Sequence, residues 1–163
     1  MVKILIKKLD PAVKLPEYKT DGASGMDITA FIKKPIEIKP KSSTLVSTGL
    51  SVAFSEDYEI QIRPRSGLAA KNNISVLNTP GTIDSDYRGE IKVIIYNHGN
   101  DDFIIKNGDR IAQMVLVPVV KMELEEASDL PKTIRGTGGF GSTGKWKQHW
   151  IKIKLTDFLV KLF

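Results

Sequence analysis

The sequence predicts an all-β domain, a jelly-roll-like β-barrel that carries one short helix. Short segments rich in Val, Ile, Leu and Thr are separated by Gly, Pro, Asn and Asp, which is typical of many short strands joined by turns. Helical periodicity is almost absent, and only Ser66–Asn73 predicts a brief helix. A chain of 163 residues fits one such domain and is long enough to bury a sizeable core.

The first half of the predicted barrel contains three strand segments. Val2–Lys7 predicts the first strand, with lysines among its apolar residues. Thr44–Phe54 is rich in Val, Leu, Thr and Ser but is interrupted by Gly49, so it predicts either one bent strand or a pair of strands. Tyr58–Arg63 alternates apolar and polar residues, which is the period of a half-buried strand.

Two later segments, Ile91–Tyr96 and Ile111–Val120, are almost continuous aliphatic runs. Such runs predict strands that are buried on both faces. Pro118 interrupts the second run and lacks a backbone N–H, so we expect a bulge or a sheet edge at that point.

The composition changes sharply towards the C-terminus. We expect a compact core over residues 1–132, a flexible arm over 133–144 whose stretch Arg135–Gly144 holds five glycines, and a basic aromatic tail over 145–163. The tail contains five lysines, one aspartate and both tryptophans, so it carries +4 of the formal net charge of +5. The nearly neutral remainder argues against a nucleic-acid-binding protein.

Several classes of site are excluded by residue counts. The chain has no cysteine, which removes disulfides, thiolate nucleophiles and Cys-based metal sites and suits a reducing cytosol. Its two histidines are too few for a three-His metal site within one chain. No apolar run approaches the ~18 residues of a membrane span, and lysines interrupt the N-terminal segment where a signal peptide would be apolar. We therefore expect a cytoplasmic protein.

The segment Arg63–Gly67 offers a first candidate site. Arg65 precedes Ser66 and Gly67 at the start of the predicted helix, where a guanidinium and backbone N–H groups suit an anion such as phosphate. The alternative is structural, with Ser66 as an ordinary helix cap and the arginines on the surface.

A second candidate site lies in the segment Asn78–Glu90. Asp84 and Asp86 are two residues apart in a hairpin-like stretch, and a carboxylate held near phosphates suits the activation of a water molecule. Tyr87 offers a flat surface for a sugar. The alternative is turn chemistry with a local Asp–Arg pair.

The glycine-rich arm and one strand residue complete the candidates. Successive glycines let backbone amides wrap phosphate oxygens, and Phe140 among them suits stacking on a base; a simple linker is the alternative. Gln113 is a polar residue on an otherwise apolar strand, so it needs a partner or faces a site.

Taken together, these segments resemble the five motifs of the trimeric deoxyuridine triphosphatases (dUTPases). The matching segments, in family order, are Asp21–Ile28, Pro64–Ala69, Asn78–Glu90, Gly108–Val115 and Arg135–Gly144. The resemblance implies a homotrimer with active sites shared between subunits, which hydrolyses dUTP to dUMP and pyrophosphate. That activity limits uracil in DNA and supplies dUMP for thymidylate synthesis. It also implies Mg²⁺ as cofactor, with no direct protein ligand and with Asp27 near the water molecules around the metal.

The resemblance also implies roles for individual residues at the base, the sugar and the reacting phosphorus. The residues expected around the uracil are Asn78, Gly81, Thr82, Ile83 and Lys92. Tyr87 is expected to pack on the deoxyribose where a 2′-hydroxyl would clash. Asp84 is expected to orient and deprotonate the attacking water, and Gln113 to hold the same region by hydrogen bonding.

Two further groups are implied to contact the triphosphate and close the site. Those from the core are Arg65, Ser66 and Gly67, which are expected to bind the phosphates. Those from the arm are Arg135 at the terminal phosphates, Phe140 over the uracil, and Gly141, Ser142 and Thr143 around the phosphate chain.

Two alternative functions remain open at the level of the sequence: a dCTP deaminase of the same superfamily, and a non-catalytic nucleotide-binding regulatory trimer. The tail departs from the family pattern, since most members end soon after the arm. We interpret it as an extension that packs on the trimer, with binding to a membrane surface as the alternative.

Overall fold

The computed structural model describes residues 2–142, which form eleven strands and one helix. The strands are β1 (Leu5–Lys8), β2 (Met26–Thr29), β3 (Ile36–Ile38), β4 (Ser43–Ser47), β5 (Leu50–Ala53), β6 (Tyr58–Arg63), β7 (Ile74–Val76), β8 (Gly81–Ile83), β9 (Lys92–Asn97), β10 (Phe103–Ile105) and β11 (Arg110–Pro118). The helix is α1 (Ser66–Asn72). The predicted all-β class with one short helix is confirmed.

The strands pair antiparallel in four sheets. The largest has the order β2-β11-β6-β8, the second has the order β4-β9-β7, and β1-β5 and β10-β3 form two-stranded sheets. Within residues 2–142 these ladders are not joined into one closed barrel. The chain forms two compact units, Met1–Met122 and Glu123–Phe163, and every strand belongs to the first. The predicted functional division at 132/133 and at 144/145 stays a prediction.

The core of the first unit is built mainly from isoleucine and valine. Its largest fully buried side chains include Ile28, Ile38, Ile60, Ile74 and Ile95, which come from five different strands. β-Branched residues suit this role because they pack well on a pleated surface and lose little further freedom there. Burial of this apolar surface is the main term that stabilises the unit.

The expected strand over Thr44–Phe54 is a pair, β4 and β5. Gly49 separates them and has a φ of +69°, a backbone conformation that side chains disfavour. A Cβ at this position would also lie 2.5 Å from Cγ2 of Val13. The break in the pattern therefore reflects both the turn and the close approach of the N-terminal segment.

The prediction that the two aliphatic runs are buried on both faces is wrong for the single chain. In β9, Val93 and Ile95 are buried, whereas Ile94 and Tyr96 on the opposite face are only partly covered.

β11 ends at Pro118, which pairs with Tyr58 at the last position of its ladder with β6. The irregularity in β11 lies at its other end, between Arg110 and Ala112.

Asn97 is a fully buried polar side chain that ties together three segments. Its Nδ2 donates to the carbonyl oxygens of Ile38 at 3.0 Å and Asp101 at 2.8 Å, and its Oδ1 accepts from the N–H of Gly99 at 2.8 Å. A buried amide that makes three hydrogen bonds is stabilising only as long as all three partners are present.

We therefore expect Asn97→Ala to lower the free energy of unfolding by about 2–4 kcal/mol, because three backbone groups lose their partner. Urea unfolding at a fixed protein concentration measures this change. Asn100→Ala, an exposed position in the same loop, is the matched control and should stay within ~0.5 kcal/mol of the unsubstituted protein. Equal stability of the two variants would contradict the assignment.

Candidate functional site

A cavity of about 290 Å³ opens where β8 ends and β9 begins. Six residues that the sequence predicted for base, sugar or water line this one cavity: Asn78, Thr82, Ile83, Asp84, Tyr87 and Lys92. Leu45, Glu90 and Ile94 complete the lining. The volume lies near the lower end of the range for small-molecule sites, which begins at roughly 300 Å³.

β8 is the edge strand of its sheet, because it pairs with β6 on one side only. Its residues Gly81, Thr82 and Ile83 pair with Ile62, Gln61 and Ile60, respectively. The N–H and C=O groups that point away from β6 are therefore directed to the edge, where a planar ligand with alternating donors and acceptors fits.

Gly81 makes room for the side chain of Asn78. A Cβ at Gly81 would lie 3.1 Å from Nδ2 and 3.4 Å from Oδ1 of Asn78, closer than most carbon contacts allow. The Asn78 amide thus lies over the start of β8, and both its donor and its acceptor are next to the edge backbone.

Asp84 and Tyr87 are set by a tight turn that follows β8. The N–H of Tyr87 donates to the carbonyl oxygen of Asp84 at 3.1 Å. The Tyr87 hydroxyl donates to the carbonyl oxygen of Glu90 at 3.1 Å, while 42% of the residue stays exposed. The ring therefore keeps a fixed orientation and still presents a surface to the cavity.

The Asp84 carboxylate is exposed, and no ion pair among residues 2–142 involves it. The local Asp–Arg pair that was the structural alternative does not form, because Nη1 of Arg88 donates to the carbonyl oxygens of Ser85 and Tyr87. Asp84 thus remains accessible to a water molecule in the cavity.

Glu90 anchors the far side of the cavity. Its carboxylate accepts from the N–H of Gly49 at 2.8 Å and lies 3.5 Å from Nζ of Lys92. The same residue therefore connects the β4–β5 turn with Lys92. Glu90 is not among the site residues that the resemblance implies, yet it lines the cavity.

A second cluster joins Asp27, Arg65 and Arg110. Nε of Arg65 lies 2.8 Å from Oδ1 of Asp27, and Nη1 of Arg110 lies 3.0 Å from Oδ2 of the same carboxylate. One partly buried carboxylate thus orients two guanidinium groups. Arg110 is not among the site residues that the resemblance implies, and its place in this cluster emerges only from the structure.

Ser66 and Gly67 follow Arg65 at the first turn of α1, and both are exposed. The N-cap position is Arg65, with no side-chain capping hydrogen bond, so the alternative interpretation of Ser66 as the cap is wrong. A Cβ on Gly67 would meet no atom within 4 Å, which leaves its backbone open to an approaching anion.

Gln113 links the strands that position this cluster. It pairs with Asp27 of β2 and with Arg63 of β6, and its Nε2 donates to the carbonyl oxygen of Pro64 at 3.0 Å. The amide thereby fixes the segment that leads into Arg65. The expected contact of Gln113 with the reacting region stays a prediction.

The two clusters lie apart within one chain. Asp27 belongs to β2 and Asp84 follows β8, and these strands are the two outer strands of the four-stranded sheet. Three strand spacings separate them, which is roughly 14 Å. A single chain therefore brings together the residues expected at the base and the sugar, and separately those expected at the phosphates.

The second unit contains the glycine-rich arm, described up to Ser142. Arg135 Nε donates to the carbonyl oxygen of Gly138 at 2.7 Å, and Gly136 and Gly141 have positive φ values. Phe140 is fully exposed and has a φ of 48°. Thr143 and the tail 145–163, including its predicted packing or membrane contact, lie outside the described residues.

Residues 2–142 contain no group of three or more His, Asp or Glu side chains arranged to hold a metal. Asp27, the carboxylate expected near the metal, is bound to two arginines. This arrangement fits a hydrated Mg²⁺ that arrives with phosphate oxygens, since Mg²⁺ commonly keeps several waters. It does not fit an all-protein metal cage. No helix of the described residues is long and apolar enough to cross a membrane.

Comparison with known proteins agrees with this geometry. The sequence model of the family described as dUTPase matches residues 12–144. The chain belongs to the dUTPase family. The match extends from before the Asp27 cluster to the end of the glycine-rich arm.

Curated relatives carry the name deoxyuridine 5′-triphosphate nucleotidohydrolase. One from Rickettsia bellii is 55% identical over 145 residues, covering 88% of this chain and 97% of its own. One from Hydrogenobaculum sp. is 54% identical over 143 residues, covering 88% of this chain and 99% of its own. Both relatives align with this chain over almost their whole length.

Solved structures of dUTPases have the same fold. The dUTPase of Staphylococcus bacteriophage 80alpha, solved with dUpNHpp, matches with a TM-score of 0.77 and 24% identity, over 87% of this chain and 98% of its own. A dUTPase from phage phi11 of S. aureus, described as coordinating a structural Mg(II) ion, matches with a TM-score of 0.72 and 20% identity, over 80% of this chain and 99% of its own.

Proposed function

We propose that the protein is a dUTP diphosphatase, which hydrolyses dUTP to dUMP and pyrophosphate. The observation that carries this proposal is the cavity between β8 and β9, where six residues expected from the family motifs line one space. Membership of the dUTPase family and the names of the curated relatives support the same reaction. The absence of cysteine suits the reducing cytoplasm, where we place the enzyme.

Recognition of uracil rests on the edge of β8. Uracil presents an acceptor, a donor and an acceptor along its pairing edge, which matches the alternating groups of an edge strand. The Asn78 amide over Gly81 adds a donor and an acceptor at the same place. Cytosine would leave at least one buried polar group without a partner, which costs far more than a misplaced methyl group.

The reaction requires a water molecule at the α-phosphorus. Its oxygen forms a bond to the α-phosphorus, the bond from that phosphorus to the bridging oxygen of the β-phosphate breaks, and pyrophosphate leaves. Asp84 accepts a proton from the water and later releases it to solvent. Its accessible carboxylate in the cavity supports this role, because a general base must reach the proton it removes.

Arg65, Ser66 and Gly67 bind the phosphates in this proposal, and Arg110 joins them through the shared carboxylate of Asp27. Preorganised cations stabilise charge that develops on phosphate oxygens without reorganising during the reaction. When bound, Mg²⁺ neutralises part of the triphosphate charge. Asp27 would accept hydrogen bonds from the water molecules that surround the bound Mg²⁺.

We infer from the resemblance to the trimeric dUTPases, and from membership of that family, a homotrimer in which different subunits supply the base-side and phosphate-side residues to one site. Gln113 supports the phosphate side by holding Pro64. The arm closes the site in this proposal. Arg135 contacts the terminal phosphates, Phe140 covers the uracil, and Gly141, Ser142 and Thr143 surround the phosphate chain.

Hydrolysis in water labelled with heavy oxygen tests the point of attack. We expect the label in dUMP and none in pyrophosphate, because the Asp84-activated water attacks the α-phosphorus. Mass spectrometry of both products measures this distribution. Label found in pyrophosphate would place the attack on the β-phosphorus and contradict the role given to Asp84.

A further inference from the structure

Gly89 lies against the ring of Tyr87. A Cβ built on Gly89 would be 2.3 Å from the hydroxyl oxygen of Tyr87, 2.5 Å from its Cζ and 3.0 Å from its Cε2. Non-bonded carbon atoms normally approach to about 3.5–4.0 Å. The Tyr87 ring therefore occupies the space that any side chain at position 89 would need.

The conformation of Gly89 is not the reason for a glycine at this position. The glycines of the described chain with a positive φ are Gly49, Gly108, Gly136 and Gly141, and Gly89 is not among them. An L-residue would be compatible with its backbone. What position 89 supplies is empty space beside the ring.

Hydrogen bonds at its backbone and at its hydroxyl fix the position of the Tyr87 ring beside Gly89. The Tyr87 hydroxyl donates to the carbonyl oxygen of Glu90 at 3.1 Å, and the Tyr87 N–H donates to the backbone carbonyl oxygen of Asp84 at 3.1 Å. Glu90 is itself held by the N–H of Gly49 at 2.8 Å. The Tyr87 ring is thus held in one position, packed against Gly89 and with its hydroxyl bound to the Glu90 carbonyl.

We propose that Gly89 is a positioning residue for sugar discrimination, because it lets the Tyr87 ring seat where a ribose 2′-hydroxyl would clash. The inference rests on the proposed function, in which Tyr87 packs on the deoxyribose. A side chain at position 89 displaces the ring from this position. The space beside the sugar then opens, and the enzyme loses preference for dUTP over UTP.

The test is the ratio of kcat/KM for dUTP to kcat/KM for UTP. In Gly89→Ala this ratio is expected to fall by on the order of tenfold or more, the scale of steric selection by one small group. Gly22→Ala is the matched control, because a Cβ there meets no atom within 4 Å, and it should keep the ratio of the unsubstituted enzyme. A folded Gly89→Ala variant with an unchanged ratio would overturn the inference.

The same substitution in a protein that lacks the Tyr87 ring distinguishes a positioning role of Gly89 from a general structural role. In Tyr87→Ala the ring is gone, so adding Gly89→Ala should change the ratio by less than about twofold. An equally large effect in both backgrounds contradicts the inference. If Gly89→Ala alone does not fold, by circular dichroism, the double variant decides: recovery of folding supports the inference, and continued unfolding contradicts it.

The experiments distinguish failure of the proposed function from failure of the role given to Gly89. An unsubstituted protein that releases no pyrophosphate from dUTP contradicts the proposed function itself. An active enzyme whose Gly89→Ala variant retains the full preference for dUTP contradicts only the role of Gly89.

Discussion

Asp84→Asn is expected to lower kcat for dUTP by about 10³-fold, within the usual range for loss of a general base. Asparagine has nearly the same shape as aspartate but does not accept the proton of the attacking water. The side chain is exposed in the cavity and forms no ion pair within residues 2–142, so its replacement should not unfold the turn. Steady-state pyrophosphate release measures kcat.

Binding should survive this substitution, and a neighbouring acid provides the control. The affinity for a non-hydrolysable dUTP analogue, measured by calorimetry, should stay within about fivefold, since uracil and phosphates are bound by other groups. Asp86→Asn changes an exposed carboxylate two residues away in the same turn and should leave kcat within about threefold. Full activity of Asp84→Asn, or equal loss in both variants, would contradict the proton-accepting role.

Removal of residues 133–163 is expected to lower kcat/KM for dUTP by at least about 100-fold, because in the proposed function the arm supplies Arg135 and Phe140 and shields the bound triphosphate from bulk water. Every strand lies in the unit Met1–Met122, so the shortened chain should keep its fold. Pyrophosphate release measures activity, and size-exclusion chromatography compares the assembly of both chains.

A chain that ends at Gly144 is the matched control. It keeps the arm and lacks only the 19 residues of the tail, which carry +4 of the net charge. We expect it to keep the activity of the full chain within about twofold. Equal activity of all three chains would overturn arm closure, whereas loss of activity in the Gly144 chain would assign a role to the tail.

The local pattern of the chain predicted those elements that local physics determines. Tyr58–Arg63 alternates strictly and is β6 to the residue, because one face packs on the core and the other does not. The break at Gly49 separates β4 from β5 because a positive φ is needed there. Ser66–Asn73 is α1 with its C-cap, and Asn73 adopts the left-handed conformation that ends the helix.

What the pattern did not predict depends on the pairing of distant strands. Ile94 is as apolar as its neighbours Val93 and Ile95, yet it is only partly covered, because it lies on the opposite face of β9. Hydrophobicity alone does not distinguish a face covered by its own chain from one left for a partner.

In the candidate site, too, residues from one local segment were predictable, whereas contacts between distant strands were not. Seven of the nine residues that line the cavity come from one contiguous segment, Asn78–Lys92, so a local motif predicts most of the lining. The meeting of Asp27, Arg65 and Arg110 depends on β2 and β11 being neighbours, which sequence spacing does not indicate. Arg110 was therefore left without a role, although its position on an apolar strand signalled that a charged partner was needed.

The rate of pyrophosphate release from dUTP, dCTP, dTTP and UTP in the presence of Mg²⁺ tests the central claim most directly. We expect release from dUTP to exceed release from dCTP and UTP by at least about 100-fold in kcat/KM, because the β8 edge selects the base and Tyr87 the sugar. Thymine has the same pairing edge as uracil and differs only by a methyl group, so we expect a smaller preference over dTTP, on the order of tenfold or more. Ammonia should not be released from dCTP. Comparable rates for all four nucleotides, ammonia from dCTP, or binding of dUTP without turnover would each contradict a dUTP diphosphatase.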